Sequence, residues 1–177
     1  MKTIFLWILV VIAILSMLVG CFSSPSARSS RDIPVVTDFD VSRYLGEWHE
    51  IARLPKRYEK GLTHVTATYQ LEGDRLQIVN RGIKDGQAKS STAVGYFAGP
   101  SDEGAFRISF FRPFYGDYRI IWLSPEYDQA IVTGNDRSSL WILSRTPKIE
   151  QEKLIELLNR AKNWGFDIAL LEFPEWE

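Results

Sequence analysis

From Trp48 to Ser144 the sequence is cut into short runs rich in β-branched and aromatic residues, with Gly, Pro, Asp or Asn at nearly every cut. Runs of this length with period-two alternation suit strands and are too short for most buried helices. They cover 48–55, 63–71, 75–82, 88–98, 105–111, 118–123, 129–133 and 139–144. Alternation groups Val65, Ala67, Tyr69 and Leu71 on one face, as it does Ala93, Gly95 and Phe97. Phe106, Ile108 and Phe110 form a third such set, and Tyr118, Ile120 and Trp122 a fourth. Eight strands on mostly short connections predict an all-β domain, an eight-stranded antiparallel up-and-down barrel. Closure removes exposed sheet edges and leaves room for one small ligand. Residues 112–117 (Arg-Pro-Phe-Tyr-Gly-Asp) are expected to interrupt pairing as a loop at the barrel mouth.

The flanks are different. Residues 38–45 carry an acidic cap candidate and apolar residues at 41, 44 and 45, which predicts one helical turn. Gly46 ends it, on the expectation that a side chain would obstruct the turn. After the strands, Pro147 opens an amphipathic helix with Leu154, Leu157, Leu158 and Ala161 on one face. Its mixed charges favour packing on the outside of the barrel over lying on a membrane. Residues 168–173 are expected to add a short strand.

The first residues are not globular. Met1-Lys2 is followed by an almost wholly apolar stretch, Ile4 to Val19, and then Leu18-Val19-Gly20-Cys21. This order describes a secretory signal peptide, with a retained membrane helix as the alternative. Cys21 is the only cysteine, and Leu-Val-Gly-Cys resembles the bacterial lipobox. That resemblance implies cleavage before Cys21 and acylation of it, including an amide-linked chain such as palmitate. The expected domains are a signal peptide at 1–20, a lipidated and flexible Ser-rich linker at 21–35, and the barrel domain at 36–177. Removal of 1–20 takes one basic residue and no acid, moving the formal charge from −1 to −2. No basic excess points to nucleic acid. With the cysteine held by lipid no intrachain disulfide can form, so the core alone must hold the fold.

Several segments together resemble the lipocalins over residues 36–173. They are 44–53 (Tyr-Leu-Gly-Glu-Trp-His-Glu-Ile-Ala-Arg), 65–69 (Val-Thr-Ala-Thr-Tyr), 110–116 (Phe-Phe-Arg-Pro-Phe-Tyr-Gly) and 140–147 (Leu-Trp-Ile-Leu-Ser-Arg-Thr-Pro). The likeness is to the bacterial outer-membrane lipoprotein lipocalins, akin to apolipoprotein D. It implies that Gly46 and Trp48 close one end of the barrel and that Arg145 packs on the Trp48 indole. It also implies a membrane-anchored carrier at the outer membrane of the cell envelope. The cargo would be a fatty acid or lysophospholipid, for storage or transport in envelope maintenance, with no cofactor. The pattern departs from the family at His49, where tyrosine is common, and at 123–127 (Leu-Ser-Pro-Glu-Tyr), where Thr-Asp-Tyr is usual.

The residues themselves give little chemistry. His49-Glu50-Ile51-Ala52-Arg53 begins like a zinc-protease motif, but arginine stands at the last position and the segment reads as a strand, so neither metal nor catalytic residue is assigned. No Gly-x-Ser-x-Gly elbow or phosphate loop is present. The expected lining is Ala52, Ala67, Tyr69, Gly95, Phe97, Phe106, Phe110, Tyr118 and Trp122, with Asn80 as a polar group fixing orientation. Two alternatives stay open: a lipid-modifying enzyme, and a structural or partner-binding envelope protein with a filled barrel. Exposed aromatics in 112–117 leave a homodimer or a membrane contact as further partners.

Overall fold

The computed structural model describes residues 28–176. Eight strands, β1 (Gly46–Arg53), β2 (Thr63–Glu72), β3 (Arg75–Lys84), β4 (Gln87–Phe97), β5 (Ala105–Phe111), β6 (Phe114–Leu123), β7 (Gln129–Thr133) and β8 (Leu140–Ser144), pair antiparallel in chain order. β8 returns to pair with β1, and the barrel is closed. A one-turn helix, α1 (Val41–Tyr44), precedes β1, and α2 (Gln151–Asn163) follows β8. α2 begins at Gln151 rather than at Pro147.

Two apolar clusters hold this together. The inner one fills the end of the barrel next to α1 and contains Phe39, Tyr44, Trp48, Leu76 and Phe106. The outer one joins Leu157 and Ala161 of α2 to Ile51, Leu140 and Ile142 on the barrel wall. β7 and β8 are therefore buried almost throughout, on both faces.

β-Bulges decide which side chains face inward. An extra residue in one strand turns the residues after it to the opposite face. The β1–β8 register shifts between Glu50 and Ala52, and Ala52 lies in the outer cluster, not in the barrel as alternation predicted. The β6–β7 register shifts between Ile120 and Trp122. Trp122 accordingly packs outside, with the Arg160 guanidinium of α2 5.1 Å from its ring.

Other expectations are corrected too. The break at 112–117 is only Arg112-Pro113, joined by a cis peptide, and pairing resumes at once with Phe111 opposite Phe114. Gly46 is required by its backbone rather than by lack of space: its φ is +94°, whereas a Cβ would meet Arg145 Nη1 at an ordinary 3.5 Å. Cys21 and the signal segment lie outside the described residues. Of the expected linker, 28–35 is packed: Ser30 and Ile33 are buried, and Arg119 donates to both their carbonyls. Residues 168–170 form a 3-10 turn, after which Glu172 makes a two-way backbone bridge with Arg53. That tail has a task. β1 and β2 pair only through Gly46–His49, and further along the tail bonds to both strands, through Arg53 and through the His64 N–H, which donates to Glu175 O.

Candidate functional site

The site is built from its floor upward. Asp40 caps α1 by accepting from the Ser42 N–H at 2.9 Å, which delivers Tyr44 to the barrel end. Trp48 is fully buried, its ring 4.8 Å from that of Tyr44, and its Nε1 donates to Tyr44 O at 2.8 Å. The structure brings Arg145 4.0 Å from the centre of the Trp48 ring. Its guanidinium also donates to the carbonyls of Arg43 and Glu47 at 2.8 Å and of Tyr127 at 3.2 Å. One cation thus ties α1, β1 and the β6–β7 connection across an indole face, where such stacking contributes ~0.5–2 kcal/mol.

Above the floor stand three tyrosines. The Tyr118 hydroxyl lies 2.6 Å from that of Tyr44 and 2.7 Å from that of Tyr69. Burial is the main cause that pushes all three phenols up, Tyr69 to about 12, so each keeps its proton. Three hydroxyl protons serve two bonds, which leaves one O–H to be offered elsewhere.

Beyond the tyrosines the barrel is hollow. A cavity of about 1030 Å³ opens at the end away from α1, at the upper limit of ordinary small-molecule sites. Of the residues expected on its wall, Ala67, Tyr69, Asn80, Phe110 and Tyr118 are there, Phe110 half-exposed at the rim. Gly95, Phe97 and Phe106 are not. Their strand positions lie toward the closed end, where Phe106 packs 4.9 Å from Phe97 and 5.9 Å from Phe39 as solid core. A Cβ on Gly95 would press on Ile108 at 3.2 Å, so that glycine makes room for a neighbour, not for a ligand.

Sequence reasoning missed Ile108, Trp141 and Leu143 on the wall, and a buried charge cluster beside them. Glu50 faces inward and pairs with Arg53 at 2.7 Å. Arg53 also pairs with Glu172 at 3.1 Å and donates to the carbonyls of Glu59 and Leu62. Glu59 accepts from Trp141 Nε1 through one oxygen, while its other oxygen is buried without a partner. One arginine among three carboxylates cannot keep all of them ionised cheaply. Burial above all, and then the Glu59 charge, push Glu50 up to about 8 against the pull of Arg53. Burial likewise raises Glu59. Alternation from Trp48 already places Glu50 inward; Glu59 sits in a connection, where no period applies.

His49 is on the outer side of β1, its ring 4.9 Å from Trp176, and His64 lies 5.6 Å from the same ring. Neither histidine joins the cavity wall.

A hollow eight-stranded barrel, closed by a short helix, a tryptophan and an arginine, has clear counterparts. The chain is 46% identical over 164 residues to the outer membrane lipoprotein Blc of Escherichia coli K12, covering 91% of this chain and 92% of that protein. Apolipoprotein D of Mus musculus is more distant, 26% identical over 148 residues and 76% of each chain. Among solved structures, insecticyanin of Manduca sexta superposes with a TM-score of 0.67 at 20% identity, over 82% of this chain and 85% of that one, a likeness of fold. The family described as the lipocalin-like domain matches residues 39–175. The chain belongs to the lipocalin family.

Proposed function

We propose that this lipocalin is a tethered carrier that holds one single-chain lipid, a fatty acid or lysophospholipid, in its barrel, for lipid storage or transport in envelope maintenance. It is a lipoprotein of the outer membrane, as its relatives named outer membrane lipoprotein are. The observation that carries the ligand reading is the cavity itself: an apolar wall of Ala67, Ile78, Ile108 and Leu143 above neutral tyrosine hydroxyls. An acyl chain gains ~0.8 kcal/mol per buried CH₂ in such a space. Asn80, beside Ala67 on the wall, would be a polar group that fixes the lipid's orientation. The related lipocalins are binding proteins rather than enzymes.

Ala67 lies on the wall opposite Trp48 in the β1–β2 register and Asn80 in the β2–β3 register. Ala67→Trp should fill the lower cavity at a stability cost of ~1–3 kcal/mol or less, since the added ring enters open space. Lipid extracted from the purified variant is expected to fall to a trace. Undiminished recovery would show that the lipid is not held in the barrel cavity.

The anchor is proposed with it: cleavage after residue 20 and acylation of Cys21. The mass of protein extracted from membranes should fit a chain beginning at Cys21 and carrying acyl groups. Cys21→Ser should leave the first twenty residues attached, and cleavage at any other site would exclude the assignment.

A further inference from the structure

The open end of the barrel combines three features that the carrier reading does not require. The first is apolar. Phe111, Phe114 and Tyr58 are 76%, 72% and 69% exposed, and Phe110 is 54% exposed. All four also border the cavity mouth. Aromatic rings of this size are seldom left in water without a partner.

The second is charge. The connections at the open end (54–62, 84–89, 112–113 and 134–139) carry seven basic and three acidic residues. One of those acids, Glu59, points into the cavity. The closed end (38–45, 72–75, 98–104 and 124–128) carries eight acids against three arginines, Arg145 included. A chain of nearly balanced charge is thus strongly polarised along the barrel axis.

The third is the anchoring of residues 28–30. Ser29 bridges Asp136, the Ser30 N–H donates to Asn135 O, and the Arg137 N–H donates to Arg28 O. Asn135 and Asp136 themselves border the mouth. Seven residue steps separate Arg28 from Cys21, a reach of at most ~25 Å. That is no more than the height of the barrel, whose ten-residue strands rise ~3.3 Å per residue at a tilt of ~35–45°. With Cys21 acylated, a link no longer than this, reaching the domain at its open end, favours that end toward the bilayer.

We propose that the open end docks on an anionic phospholipid surface, with Phe111 and Phe114 entering the interface and Lys56, Lys60, Lys84 and Arg112 against the headgroups. Aromatic rings with lysines and arginines around them are the chemistry of a membrane interface. A second copy of the chain would meet like charge at this rim. Docked in this way, the cavity mouth faces the membrane, and a lipid passes between bilayer and barrel without crossing water. The docking rests on the acylation of Cys21 and on the carrier reading.

The test uses the mature acylated protein in vesicles of phosphatidylethanolamine and phosphatidylglycerol, some with nitroxide-bearing acyl chains. With its one cysteine acylated, Phe114→Cys and Asp102→Cys each offer a single thiol for an environment-sensitive dye. Residue 114 is at the rim and 102 at the closed end, both exposed, so neither label disturbs the core. Strong quenching at 114 and none at 102 is expected. Neutralising Lys60 and Lys84 to glutamine should lower the docked-to-undocked ratio about fivefold per charge. Quenching at both positions alike, or at neither, would overturn the docking. So would dye–dye quenching between copies at 114 without quenching by lipid, which would give the rim to a dimer. Lipid counted by mass spectrometry in the same samples separates the two readings: bound lipid without rim quenching ends the docking alone, and rim quenching without bound lipid ends the carrier alone.

Discussion

Trp48→Ala is expected to lower the free energy of unfolding by ~3–5 kcal/mol, read as a shift of the urea midpoint, and to leave ligand preference unchanged. Removing a large buried aromatic loses its transfer energy and leaves a cavity that neighbours only partly fill. Here the loss is compounded. Tyr44 O loses the indole donor and Arg145 loses the face it covers. Arg145 keeps its three carbonyl acceptors, so the arginine does not become an unpaired buried charge. Trp48 is separated from the cavity by the tyrosines and does not line it. If the variant kept its urea midpoint and failed to bind lipid, Trp48 would belong to the site and not to its floor.

The second large effect concerns Arg53. Arg53→Met should destabilise by ~3–5 kcal/mol near pH 8, because it leaves inward-facing Glu50 without its cation. The wild-type chain already carries a pH dependence of definite sign. Glu50 has a pKa of about 8 in the folded chain against an ordinary value of 4.5. Below 4.5 both states hold the proton and this contribution to stability is complete. As pH rises toward 8 the unfolded chain gives up its proton while the folded chain keeps it, so stability falls, by ~1.4 kcal/mol per unit of difference. Melting temperature should therefore drop between about pH 5 and about pH 8, by roughly 2–4 °C per kcal/mol. Glu50→Gln should flatten that slope. Arg53→Met should steepen it and be best tolerated near pH 5, where the carboxyl is neutral. A variant equally destabilised at both values would show that charge is not the cause.

The barrel was legible in the sequence because its strands β2 to β6 carry one face to solvent, at least in part, and alternate accordingly. Ala67, Tyr69, Asn80 and Tyr118 reach the wall through that alternation. It fails in two physical circumstances. One is the bulge: a single extra residue near Ile51 and another near Ile121 reverse the faces of Ala52 and Trp122. Nothing in the local composition marks either position. The other is double burial. β8 has apolar residues on both faces because α2 covers the outside, so Trp141 and Leu143 cannot be told from Leu140 and Ile142 by pattern. Depth along the axis is a third unread quantity. Gly95, Phe97 and Phe106 point inward as predicted but lie where the barrel is solid.

The way the barrel is sealed also bears on its biogenesis. β1 is among the first parts of the domain to be made, yet its neighbours β8 and the tail around Glu172 are among the last. The seam therefore closes only when nearly every residue is available, and pairings so distant in sequence are slow to form.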